Sequence, residues 1–226
     1  MVAVPPSGAV VGLTLISAVF GGYDSPRPLP ADHGFDDAVL VTDNPELAAE
    51  GWRVIVEEPS DRPRLAAKRA KLTPWHYVDD AASVWIDGSC EVTGGLFRAW
   101  LDGQPAADLI AWRHPEPRDC LFDEAVYCQD WPKYAREPIR AQTARYRAAG
   151  MPEHFGLYAA GTLLWRHTDA ARAFGAAWLA EQEAGSIQDQ VSLPFLLWFQ
   201  PIDFATFDAH EYVNPYLRWH AHDRQD

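Results

Sequence analysis

Apolar residues in this chain gather in short dense runs separated by polar turns, and the earlier runs have the length and β-branched content of buried strands. Val10 to Phe20 is the first and closes on Gly21-Gly22-Tyr23-Asp24. Ala38 to Thr42 is the second, ending at the turn Asp43-Asn44-Pro45, and Trp52 to Val56 is the third. Val84, Trp85 and Ile86 make a fourth that ends on Asp87-Gly88-Ser89, and Ala107 to Trp112 a fifth that runs into Arg113-His114-Pro115. Leu157 to Arg166 is a sixth. Between the strands the period lengthens. A helix capped by Ser60 or Asp61, with Pro63 in its first turn and Pro74 as its stop, precedes the fourth strand. Leu96 to Leu101 predicts a short helix, and Cys120 to Ala149 is the longest helical pattern, broken at Pro132 and Pro138. Asp169 to Glu183 is amphipathic, and the stretch from Ser186 to Trp198 starts polar and turns densely apolar.

Strands alternating with helices predict an α/β chain with a mixed, mostly parallel, Rossmann-like sheet flanked by helices. At 226 residues and 48% hydrophobic content the chain can bury one sizeable core, so a single domain is expected. The run from Ala9 to Phe20 is too short to span a bilayer and has no basic residues ahead of it, so it reads as a strand. A net charge of -13 argues against nucleic acid or an anionic membrane as partner. Cys90, Cys120 and Cys128 are odd in number and lack CxxC spacing. That excludes a disulfide framework and an evident zinc site, and it points to a reducing, cytoplasmic setting.

The acidic balance makes one cluster stand out. Arg64, Lys68 and Lys71 are spaced by four and three residues, which puts them on one helix face directly before the strand that ends at Asp87. At the carboxyl edge of an α/β sheet, where ligands bind, such a stripe would hold a diphosphate and the carboxylate its metal. The alternative for the stripe is a solvated helix face. Asp189, at the start of an apolar helix, is the leading carboxylate for chemistry, with Glu124 second; Asp189 would deprotonate an acceptor, orient a sugar, or simply cap its helix. Arg113 and His114 close a strand and suit a phosphate or a sugar, or a structural ion pair. Tyr23 could stack on a base, and Asp43 could touch the nucleotide or serve only its turn. His220 and His222, in the tail, could offer imidazoles to a metal. Cys120 reads as a buried thiol.

Arg64-x3-Lys68-x2-Lys71, Trp85-Ile-Asp87-Gly, Ala111-Trp-Arg113-His114, Cys120-x3-Glu124-Ala, Tyr146-x3-Gly150-x-Pro152, Trp165-Arg166-His167 and Asp189-Gln190 together form a pattern. It resembles the glycosyltransferase-like domain first described as a domain of unknown function, linked to plant cell-wall and mucilage proteins, with bacterial members. The resemblance spans roughly Tyr23 to Trp198. It implies a single-domain GT-A fold and transfer of a hexosyl group from a nucleoside-diphosphate sugar, UDP-sugar favoured, to a glycan or protein acceptor. It further implies residues 9–90 as the nucleotide-sugar half, 91–200 as the acceptor half and 201–226 as a tail whose last residues are disordered. Arg64, Lys68, Lys71, Ser89 and Gln190 fall on the donor site, and Asp87 on the metal-binding acidic motif, with Mn or Mg as the ion. GT-A enzymes usually carry Asp-x-Asp, whereas this chain has Asp87-Gly88-Ser89. That departure keeps open a catalytically inactive sugar-binding or scaffold module. A sugar nucleotidyltransferase is the remaining alternative, although Gly21-Gly22-Tyr23-Asp24 lacks the basic residue it needs.

Overall fold

The computed structural model describes residues 12–223. The first half holds β1 (Leu13–Val19), β2 (Asp37–Thr42), β3 (Arg53–Val56), α1 (Pro63–Leu72), β4 (Ala82–Ile86), β5 (Cys90–Val92), α2 (Leu96–Leu101) and β6 (Leu109–Arg113), in the predicted order but for the added β5. The second half holds α3 (Leu121–Gln129), α4 (Ile139–Ala148), β7 (Tyr158–Arg166), α5 (Asp169–Ala184), α6 (Asp189–Phe199), β8 (Phe204–Thr206) and β9 (Leu217–Trp219). Of the expected first strand, Val10 and Val11 lie outside the described residues, as does the very end of the tail. The predicted long helix is two helices with a single 3-10 turn, Pro132–Tyr134, between them. Pro132 and Pro138 set those breaks because neither can donate the amide that a continuing helix needs.

Seven strands form one sheet in the order β3-β2-β1-β4-β7-β6-β8. β1 pairs parallel with β2 and β4, β2 with β3, and β6 with β8, while β7 runs antiparallel to both β4 and β6. The sheet is therefore mixed and mostly parallel. β1, β2 and β4 are buried almost throughout, as parallel strands covered on both faces require, whereas the edge strands β3 and β8 are partly exposed. Alternate residues divide between two cores. Ile16, Ala18, Val39, Val41, Trp85, Leu163 and Trp165 face the layer built by α1, α3, α5 and α6. Leu13, Leu15, Ala38, Val84, Ile86 and Leu164 face the layer of α2 and the C-terminal segment. That second layer is aromatic: Trp100 stacks on Trp112 and Tyr216, and Phe207 packs against both tryptophans.

The described part of the tail adds strands that the sequence reading did not assign, and its last residues, expected to be disordered, lie outside the described residues. β8 extends the main sheet beside β6, and β9 returns to pair with β5 directly after the Asp87 turn. Residues 204–219 were not legible as strands because each strand is only three residues long and lacks a sustained alternation. α1 also starts differently from its prediction: its N-cap is Arg62 with no side-chain cap bond, and Ser60 Oγ instead accepts from the Arg62 amide. Pro63 does occupy the first turn, and Thr73 closes the helix by hydrogen-bonding the Arg69 carbonyl.

Candidate functional site

A cleft of about 370 Å³ opens where the carboxyl ends of β1 and β4 meet the amino end of the reversed β7. Its floor is Val19, Phe20, Trp85, Asp87 and Ala159 to Gly161; α1 supplies one wall and the start of α6 another. The helical spacing of Arg64, Lys68 and Lys71 brings all three onto the cleft. Strand periodicity does the same for Trp85 and Asp87, two residues apart on one face, so that the Trp85 indole donates to Asp87 Oδ1 at 2.7 Å.

The charges are interlocked. Lys71 Nζ, 1% exposed as a residue, lies 3.1 Å from Asp87 Oδ1 and 2.7 Å from Asp189 Oδ2, and Lys68 also bonds Asp189 Oδ2. Gln182 donates to the other Asp189 oxygen at 2.6 Å. Burial alone would pull the Lys71 ammonium down, but Asp189 and Asp87 outweigh it and hold it above the ordinary lysine value. For Lys68 burial wins over the attraction of Asp189, with Lys71 adding repulsion, and the ammonium falls to about 8. Burial opposes ionisation of Asp189 as well, yet the two lysines keep its carboxyl well below the usual range.

Arg64 stands further out. It donates to the Lys133 carbonyl at 3.0 Å and lies over the rings of Tyr134 and Tyr23. Lys133, which the sequence reading passed over, lines the same cleft; burial and the Arg64 charge lower its ammonium. Arg64, Lys68, Lys71 and Lys133 thus face the cleft together with the Asp87 and Asp189 carboxyls. The first turn of α6 carries Asp189 and Gln190 into the cleft, so the positive end of that helix faces it too. Tyr23 and Ser89 also line it.

Four predicted site residues lie elsewhere. Asp43 accepts from the Gly21 amide at 3.0 Å through both oxygens and so holds the turn after β1, where Gly21 and Gly22 both have positive φ. Glu124 is a buried structural anion, bonded to Arg118 Nε at 2.8 Å and approached by His114 Nε2 at 3.9 Å. Desolvation, opposed by Glu124, lowers the His114 imidazole. Arg113 is exposed at the end of β6 and does not line the cleft. The ion pair beside that strand end is therefore Glu124 with Arg118, which His114 approaches, while Arg113 stands exposed outside the cleft.

The predicted metal ligands Asp87, His220 and His222 all reach the cleft but do not converge. Asp87 Oδ1 is taken by Lys71 and Trp85, His220 Nε2 pairs with Glu91 at 2.6 Å, and His222 Nδ1 pairs with Asp24 at 3.0 Å. Among the described residues, the group whose ligand atoms approach one another is Cys120, Asp123 and His154, none of which lines the cleft. The cleft's donor set thus does not fit a preformed Mn or Mg centre, because ammonium and indole groups already meet the carboxylate that would anchor the ion. All three cysteines are free and buried. Among the described residues no helix is long and apolar enough to cross a membrane.

Asp24, Lys133, Glu211, Tyr212 and Trp219 also line the cleft and were missed. Their one sequence signal was a charged residue beside aromatics, as in Lys133-Tyr134 and Glu211-Tyr212, inside segments read as a helix break and a tail.

No family model and no curated protein matches this chain. Solved structures with a similar course include mouse xyloside xylosyltransferase 1, at 11% identity and a TM-score of 0.44, over 87% of this chain and 84% of that one. The galactosyltransferase LgtC, with donor and acceptor sugar analogues, is 14% identical with a TM-score of 0.46, over 85% and 72%. CMP:2-keto-3-deoxy-manno-octonic acid synthetase complexed with CTP is 12% identical with a TM-score of 0.44, over 87% and 89%. None is close enough to transfer an activity.

Proposed function

We propose that this protein is a glycosyltransferase of the GT-A type that binds a nucleoside-diphosphate sugar in the cleft and transfers its hexosyl group to a hydroxyl acceptor. The observation that carries this reading is the convergence of four cationic side chains at the carboxyl edge of the sheet in a chain of net charge -13. Two of these cations repel each other at Lys68 and Lys71, and two at Arg64 and Lys133. Crowded like charges of this kind are relieved by an anion of two adjacent phosphates. As the glycosidic bond breaks, negative charge grows on the leaving diphosphate, and fixed ammonium groups aimed at it lower that barrier. Lys71, locked by Asp87 and Asp189, supplies a fixed positive charge beside the phosphates, and no step here is routed through a metal.

In this reading Asp189 positions the two lysines. A carboxyl held so far below the usual range is a poor acceptor of a proton near neutrality, which disfavours it as the base. Arg64, Lys68, Lys71 and Lys133 supply the phosphate side, and Tyr23 and Ser89 suit the nucleoside. The sugar nucleotidyltransferase reading gains no basic residue from the Gly21-Gly22 turn.

Calorimetric titration with UDP, GDP and TDP, each with EDTA present, tests the proposal. At least one should bind, and Arg64→Ala should weaken it about tenfold, roughly 1.4 kcal/mol. Absence of binding by all three, with or without added Mn, would overturn it. A response to free glycan alone would favour the inactive sugar-binding module.

A further inference from the structure

We infer that Glu211 is the proton acceptor of this site, and that with Tyr212 it forms the subsite for a sugar hydroxyl acceptor; this rests on the glycosyl-transfer reading. Glu211 comes from the C-terminal segment between β8 and β9, outside every motif that the sequence singled out. Its backbone is fixed: the carbonyl accepts from the Trp219 indole at 2.9 Å and from Asn214 Nδ2 at 2.7 Å. Its side chain lines the cleft, is 2% exposed, and its Oε2 has no hydrogen-bond partner among the described residues. Buried polar groups are almost always paired, and an orphan carboxylate oxygen facing a ligand cleft is the kind of exception that function explains.

The space for this carboxyl is provided by Gly161 in β7. A Cβ there would lie 2.9 Å from Glu211 Oε1 and would overlap Trp219. The Gly161 carbonyl accepts the Asp87 amide at 2.9 Å, so Glu211 stands across one residue of strand from the Asp87 and Lys71 pair. The charged groups that act on it are Asp87, from the turn after β4, and Lys71, from α1. Tyr212, 57% exposed and edge-on to the Trp219 ring, gives the mouth of the cleft a flat surface on which a sugar can stack.

Burial first, then the neighbouring Asp87 charge, raises the Glu211 carboxyl to about 8, with Lys71 opposing. Asp189 is displaced the opposite way. Two carboxyls driven apart by their surroundings divide the work, with the high one able to take a proton near neutral pH. In the step proposed, the acceptor oxygen bonds to the anomeric carbon as the bond from that carbon to the phosphate oxygen breaks. The bonding pair leaves with the diphosphate, and the hydroxyl proton passes to Glu211 Oε2. A single displacement of this kind inverts the anomeric centre.

Water can stand in for the acceptor, so the test uses hydrolysis of a panel of UDP-, GDP- and TDP-hexoses by wild type and Glu211→Gln, with nucleotide binding measured in parallel. Wild-type turnover should climb with pH through about 8. The variant should bind nucleotide as wild type does, lose roughly 100-fold or more in turnover, and lose that limb. Because the folded protein holds this proton more tightly than the unfolded chain, wild type is progressively destabilised as pH rises from the ordinary glutamate value to about 8. Glu211→Gln should therefore gain more in Tm at pH 9 than at pH 5. Turnover within threefold of wild type with the limb in place overturns the assignment and leaves the donor reading standing. Wild type that binds no nucleotide overturns both. Should Glu211→Gln fail to fold, Glu211→Asp replaces it: lower kcat at unchanged donor KM supports the assignment, and unchanged kcat overturns it.

Discussion

Lys68 is where the electrostatics of the cleft become measurable. Its ammonium, lowered to about 8 by burial and by Lys71, is partly deprotonated under mildly alkaline conditions. A diphosphate beside it favours the charged form, so binding takes up a proton near pH 8, and affinity falls as pH rises through that value. Nucleoside diphosphate titrations in two buffers of different ionisation enthalpy should show that uptake at pH 8 and almost none at pH 6. Lys68→Met should reduce it, leaving the part contributed by Glu211. The sequence showed this residue's position but not its titration, since the spacing of Arg64, Lys68 and Lys71 announces a shared face and says nothing of Asp189, more than a hundred positions away. For the same reason Asp189 was read from the sequence as a base, a sugar-orienting carboxylate or a helix cap, while its partners Lys68 and Lys71 were not foreseen.

At the scale of elements, β7 sets the geometry. It is the reversed strand of the sheet, so its beginning, rather than its end, lies beside the ends of β1 and β4. Ala159, Ala160 and Gly161 are consequently small residues on the floor of the cleft. Gly161→Ala should displace Trp219 and the Glu211 carboxyl, with an overpacking cost of about 1–3 kcal/mol in urea denaturation. Sugar-nucleotide hydrolysis should fall further than stability does. The strands from β1 to β4, α1, α2 and α5 were legible because each has an unbroken period and clear punctuation by glycine or proline. The direction of β7 was not, because periodicity is the same read forwards or backwards. β5, β8 and β9 were missed because three residues are too few to show a period, and their pairing is decided by tertiary contact.

Over the whole molecule, the second core depends on the chain's last described stretch. Phe207 and Leu217 are buried in it, and Phe207 closes the Trp100 and Trp112 stack. Ending the chain after residue 203 should remove β8, β9 and Glu211 together. The expected result is loss of the near-ultraviolet dichroism of the tryptophan stack and a broad, weakly cooperative unfolding transition. Retention of a sharp transition would show that the segment is an accessory.

The return of β9 to pair with β5 also orders events in time. Cys90 finds Trp219 as its sheet partner only after more than a hundred further residues have been synthesised. During translation the chain has its cationic helix long before it has Glu211, Tyr212 and Trp219, so the cleft on a nascent chain lacks part of its lining until β9 reaches β5.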